Sequence, residues 1–159
     1  AHSEKEVHDF YAILSDLYRN KIRKPLMPEE VFLRIFRNKN SGVVLIASHD
    51  GCITGGMLCP FSSDGVMYEW YIAGQDRKKK SSKIYPSVLL TWEAIRYAAV
   101  NGFRQFNFMG AGESGKPYGT RDFKLQFGGK LVEAPRYLFI HKPFLYRLGK
   151  MALQLGLGS

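Results

Sequence analysis

Cysteine is scarce in this sequence. Cys52 and Cys59 are the whole complement of a 159-residue chain, and at seven positions apart on one strand they would face opposite sides. A bridge between them needs a hairpin or a bend. Both are therefore expected as reduced, mostly buried thiols in an intracellular, cytoplasmic setting. Long apolar runs are absent too: no uninterrupted stretch could span a bilayer, and the N-terminus lacks the apolar core of a secretion signal. Metal chemistry has no foothold, because His2, His8, His49 and His141 are scattered and form no ligand spacing with the cysteines. No nucleophile-elbow sequence supports Ser-His-Asp chemistry. Gly115-Lys116-Pro117 lacks the Gly-Lys-Ser/Thr order of a P-loop. Acid is in short supply, with 14 Asp+Glu against 23 Lys+Arg and a net charge of +9. Such a surplus favours polyanionic partners: nucleic acid, phosphorylated carriers or an acidic membrane face. A soluble protein with a merely basic surface would show the same balance.

What is present predicts a packed globular core, since 45% of the residues are hydrophobic. The length suits a single domain over 1–159. Ser3-Glu4-Lys5-Glu6 has the form of a capping box, and Val7, Phe10, Tyr11, Leu14, Leu17 and Tyr18 follow on one helical face. A second helix is expected from Pro28, burying Val31, Phe32, Ile35 and Phe36, with Asn38 to Gly42 as its end. Val43 to Ser48, Ile53 to Phe61 and Val66 to Ala73 read as three strands of an antiparallel meander. Asp50-Gly51 is the hairpin signal, and Gly55-Gly56 marks a bulge or a close approach. Pro86 then opens an apolar helix that Asn101-Gly102 stops.

An aromatic strand around Phe106-Asn107-Phe108 is followed by a glycine-rich turn. A short helix comes next, with Thr120 as its expected N-cap and Gly128-Gly129 as its stop. Leu131 to Ile140 reads as a last strand. From Pro143 a C-terminal helix sets Phe144, Leu145, Leu148, Met151 and Leu155 against Arg147 and Lys150. That separation would suit an anionic membrane surface as well as packing on the sheet.

The chemistry concentrates between Pro86 and Gly129. A strand ending in glycines, then a short helix bearing Arg121 and Lys124, sets cations beside open backbone N–H groups. That combination can hold a phosphate or an acyl oxygen that is becoming anionic. Phe127 shares a helical face with Phe123, which suits the core. Lys124 is read first as part of this site, with a solvated face as the alternative. Glu69, between Tyr68 and Trp70, is a candidate base if its strand lines a cleft, and an ordinary surface carboxylate if not. Tyr118 and Arg121 could donate to a carrier or a leaving group, or make structural contacts.

The order helix, helix, meander, helix, strand, short helix, strand, helix resembles the GNAT acyltransferase fold. The expected class is therefore α/β (α+β): a mixed sheet with an antiparallel meander, a central helix in a right-handed parallel crossover, and two N-terminal helices. At the residue level three features look like the FemABX aminoacyltransferases and their FemAB-like acetyltransferase relatives. They are Pro86-x-x-Leu89-Leu90-x-Trp92-Glu93-Ala94-Ile95, the Gly102-Phe103…Phe106-Asn107-Phe108 strand, and Phe123-Lys124-x-x-Phe127-Gly128-Gly129. The opening Phe10-Tyr11 and Pro28…Phe32 resembles the start of that family's second half.

The resemblance implies transfer of an amino acid from aminoacyl-tRNA to a peptidoglycan precursor, or acylation of another amine, with amide formation. It implies that Phe123 and Lys124 lie at the acyl site, with Glu69 assisting deprotonation. The chain is about half the family's usual length, which implies a missing second GNAT-like domain, a homodimer or a short relative.

One departure bears on the donor. Where GNAT enzymes carry a Q/R-x-x-G-x-G/A loop for the coenzyme A pyrophosphate, this chain reads Gln75 to Lys83 without glycine. The usual acyl-CoA loop is not evident. Arg77, Lys78, Lys79, Lys80 and Lys83 could instead contact tRNA phosphates, or form a solvated charge run. The expected activity is N-acyl transfer to an amine, from an acyl-CoA or an aminoacyl-tRNA. The contrasting expectation is a non-catalytic GNAT-like module that binds RNA or another polyanion.

Overall fold

A computed structural model describes residues 1–75, 84–113, 115–134 and 137–154, the side chain of Leu153 excepted. The basic segment from Arg77 to Lys83 lies outside the described residues. Contacts divide the chain into two units, Ala1–Gly129 and Lys130–Ser159.

In the first unit, α1 spans Glu4–Leu17. Ser3 caps it, its hydroxyl accepting from Glu6 N at 3.3 Å. The Glu6 carboxylate reaches back to the start of the helix, accepting from His2 N at 2.5 Å. A π-helical turn, Tyr18–Ile22, continues α1 and ends where Arg23 turns left-handed at φ 53. α2 spans Glu29–Arg37 directly after Pro28. Arg37 holds the two helices together, donating to both Glu4 carboxylate oxygens at 2.7 and 3.1 Å. Leu33 takes one of the buried places expected of Val31 and Phe36, which are half-buried.

Strands β1 (Gly42–His49) and β2 (Cys52–Pro60) form an antiparallel hairpin. Asp50 and Gly51 both have positive φ, 50 and 75, as a two-residue turn matched to strand twist requires. The register slips between Ala47 and Ser48, so that Thr54 is the extra residue beside Gly55. β2 alternates strictly. Leu58 faces a core with Val7, Phe10, Leu14 and Phe32 from α1 and α2. Met57 and Cys59 face a second core with Leu90, Ala94 and Ala98. The last three belong to α3 (Pro86–Val100), which covers the other side of the sheet and stops at Asn101 and Gly102 (φ 73). Burying a side chain such as Phe10 or Leu58 in these layers contributes about 1.5–3 kcal/mol each.

The expected third strand is two strands. β3 (Val66–Tyr68) pairs in parallel with β5 (Gln105–Asn107), whereas β4 (Tyr71–Gly74) pairs antiparallel with β2. The sheet therefore divides into β1-β2-β4 and β3-β5, linked among the described residues by an antiparallel bridge between Phe61 and Met67. The change of partner falls between two adjacent residues. Glu69 N donates to Asn107 O at 2.9 Å, and Trp70 N donates to Leu58 O at 3.1 Å. Two ladders pulling one strand in different directions open a fork at Glu69 and Trp70.

The short helix α4 spans Gly119–Leu125. Its N-cap is Tyr118 rather than Thr120, and no side chain caps it; Gly128 (φ 79) follows its end. In the second unit, α5 spans Pro143–Gln154. The described part of Leu131 to Ile140 is not the expected strand. It has no regular structure, and Tyr137 and Phe139 are 93% and 82% exposed. Its β-favouring composition finds no ladder partner among the described residues, and a strand without one leaves its backbone groups to water.

A Cβ on Gly56 would overlap the Phe10 ring where α1 crosses β2. Gly56→Ala is expected to lower stability by about 1–3 kcal/mol through overpacking, read as a lower urea midpoint. Phe10→Leu in the same chain should recover part of the loss.

Candidate active site

The fork places Glu69 inside the protein. Its residue is 3% exposed, although flanking Trp70 is exposed and Tyr68 half-buried. Burial raises the carboxyl above its ordinary range, because a charge removed from water loses hydration. The Lys124 ammonium, then the Thr91 hydroxyl, act in the opposite sense without cancelling the effect.

Lys124 reaches Glu69 from α4. Its Nζ lies 3.4 Å from Glu69 Oε1, and the two side chains are 12% and 2% exposed. The same ammonium donates to Phe108 O, and to Gly110 O at 3.2 Å. These carbonyls flank Met109, which turns left-handed at φ 61, a strained conformation for a non-glycine residue. Asn107 steadies that bend, its Oδ1 accepting from Met109 N at 2.8 Å. Lys124 therefore points inward. Its three donors face three acceptors, so it clamps the ends of β3 and β5 together instead of presenting a bare charge.

Two buried polar atoms beside this clamp have no hydrogen-bond partner among the described residues, Glu69 Oε2 and Thr91 Oγ1. Thr91 is near enough to favour the charged carboxylate but lies outside ordinary hydrogen-bond geometry with it. Sequence reasoning did not single out Thr91. The available signal was a lone hydroxyl on the buried face of α3, among Leu90, Ala94 and Ala98. Cys59 borders the same region. Its thiol is pushed well up by burial and then by the Glu69 charge, so it stays protonated and inert. Cys52 is exposed, and neither cysteine is paired.

The other expected site residues divide clearly. Phe123 is half-buried, stacked edge-on to Phe127 with centroids 5.2 Å apart; Phe127 in turn meets Phe108 at 6.2 Å. It thus adjoins the clamp as part of an aromatic wall. Arg121 is occupied with the glycine-rich turn. Its guanidinium donates to Ala111 O at 2.9 Å, Lys116 O at 3.1 Å and Glu113 O. Tyr118 packs its ring on Gly112, where a Cβ would not fit, and remains 42% exposed. Arg77, Lys78, Lys79, Lys80 and Lys83 lie outside the described residues. Among the described residues no group of His, Cys, Asp and Glu could hold a metal ion, and no helix is long and apolar enough to cross a membrane.

The sequence profile of the acetyltransferase (GNAT) domain matches residues 1–125. The chain belongs to the GNAT acetyltransferase family. It is accordingly an acyltransferase domain, with the mixed α/β fold of that family. Solved structures agree on the fold. An acetyltransferase from Trypanosoma brucei is 14% identical with a TM-score of 0.58, covering 87% of this chain and 95% of that one. The ribosomal-protein-alanine N-acetyltransferase of Brucella melitensis biovar Abortus is 12% identical, TM-score 0.57, covering 87% and 94%. The aminoglycoside N-acetyltransferase AAC(6')-Iy, solved with CoA, is 14% identical, TM-score 0.54, covering 88% and 95%. No relative is found among curated protein sequences.

Removing Lys124 would strand a buried carboxylate. Lys124→Met is expected to cost about 3–5 kcal/mol at neutral pH, measured by urea denaturation. The folded carboxyl then titrates above its unfolded value. Between those two values the native state holds a proton that the unfolded chain has released, so stability falls as pH rises. The deficit of Lys124→Met should therefore shrink as pH is lowered from neutral towards the ordinary carboxylate range.

Proposed function

We propose that this GNAT domain is an N-acyltransferase of the FemAB-like type. It would take an acyl or aminoacyl group from an activated thioester or ester and pass it to an amine. The observation that carries the reading is the buried Glu69 carboxylate at the fork, with Oε2 unpartnered and the pKa raised.

A base for this reaction must be ionised yet keen to take a proton near neutral pH, which desolvation supplies. The acceptor nitrogen attacks the acyl carbon, the new C–N bond forms, and the carrier leaves as thiolate or alkoxide. The proton lost by nitrogen passes to Glu69 Oε2 and can return to the leaving group. Oε2 has no exposed surface, so the fork must open beside Trp70 for the acceptor nitrogen to reach it. Lys124 positions the carboxylate. The open edge of β4, the last strand of its sheet, offers backbone N–H donors for the acyl oxygen as it becomes anionic.

The FemAB-like assignment rests on the residue pattern from Pro86 to Gly129, with Phe123 as a wall of the acyl site. Tyr118 is the exposed contact nearest the turn for a carrier or acceptor. The solved relatives include enzymes for aminoglycosides and for a ribosomal protein, amine acceptors of very different size. The fold alone therefore selects the amine and not its owner.

Glu69→Gln should lower kcat/KM by roughly 10²–10⁴-fold while far-UV circular dichroism is unchanged. In the wild type kcat/KM should fall as pH drops through an ionisation above the ordinary carboxylate range. That limb should vanish in Glu69→Gln, and activity near the wild-type level in the variant would overturn the assignment. The donor is read from thermal stabilisation, since only a ligand of the folded form raises Tm. A shift with acetyl-CoA marks a thioester donor, and a shift with aminoacyl-tRNA alone marks the FemAB-like ester. Stabilisation by uncharged RNA without transfer would favour a polyanion-binding module.

A further inference from the structure

The second unit, 130–159, combines exposed apolar side chains with cationic charge in a way the acyl-transfer site does not use. Val132, Tyr137, Leu138, Phe139 and Phe144 are each between 69% and 93% exposed. Within α5, Phe144, Leu148 and Met151 recur at intervals of four and three residues and so share one helical face. Leu148 and Met151 on that face are 44% and 51% exposed. Arg147 and Lys150 lie together on one side of the face, and α5 contains no acidic residue. Over 130–159 the sequence carries five Lys or Arg against Glu133 alone, four of the nine net positive charges.

We propose that this unit docks on an anionic lipid bilayer. The apolar face of α5 would enter the headgroup boundary, and Arg147 and Lys150 would sit at headgroup level. Charge selects this occupant over the others. A second copy would bring the same cationic unit, and residues 1–129 add five more net positive charges, so self-association works against the net charge of both copies. RNA would satisfy the cations but leave Phe144, Leu148 and Met151 in water. An anionic membrane answers both the charge and the apolar face.

The test is co-sedimentation of the full chain with phosphatidylcholine vesicles, with and without roughly 30% phosphatidylglycerol. The chain should pellet with the anionic vesicles at about 0.1 M salt and largely dissociate at about 0.5 M, as screening shortens the reach of the cations. Each neutralised cation should weaken partitioning by about fivefold, so Arg147→Gln with Lys150→Gln should lose an order of magnitude or more. Phe144→Ser with Leu148→Ser should abolish binding and shift Tm by no more than about 2 °C. A larger fall in Tm would show those side chains packing within the protein and overturn the proposal. So would a stable dimer that ignores vesicles, or binding to RNA but not to anionic vesicles. Glu69→Gln should bind vesicles like the wild type, which keeps this test independent of the acyl-transfer chemistry.

Discussion

The ion pair between Glu69 and Lys124 is the contact on which the site depends. It joins three segments that are distant in sequence: the end of β3, the end of β5 through Phe108 O and Gly110 O, and α4. A buried pair of this kind is a poor source of stability, because desolvating both ions offsets most of their attraction. Its value lies in geometry. With the ammonium surrounded by three acceptors, the carboxylate stays at the fork, and its second oxygen is left without a partner. A hydrophobic replacement of similar volume would pack as well and would leave the fork without a titratable group.

The fork itself follows from a competition between ladders. Leu58 takes the amide of Trp70 and Asn107 takes that of Glu69. Neighbouring peptide groups are thus drawn to different sheets, and the strand cannot remain straight. The two hydrophobic layers make this division durable. α1 and α2 seal one side of the hairpin and α3 the other, so the sheet cannot relax at the fork without unpacking a core.

Much of the architecture was legible because its signals are local. Ser3 and Glu6 mark the start of α1, Asp50-Gly51 marks the hairpin, and Pro86 and Gly102 bracket α3. The division at Glu69 was not legible. Val66 to Ala73 contains no glycine or proline, and the break is imposed by Leu58 and Asn107 from elsewhere in the chain. Leu131 to Ile140 misled for the opposite reason: its composition favours a strand, but composition supplies no partner. At the site, the pattern around Lys124 drew attention to a cation that the structure sets against Glu69. It could not reveal that backbone carbonyls would occupy it, since carbonyls leave no trace in residue identity. Thr91 was hidden among apolar neighbours, where a hydroxyl passes for helix filler.

The grip of Arg121 on the glycine-rich turn has a mechanical consequence. One rigid, planar side chain on α4 gathers the carbonyls of Ala111, Glu113 and Lys116, while Lys124, one helical turn later, gathers those of Phe108 and Gly110. A stretch that its glycines would leave floppy is thereby laced along its length to a single short rod. The turn and the ammonium that faces Glu69 hang from the same seven-residue helix, so displacing one displaces the other.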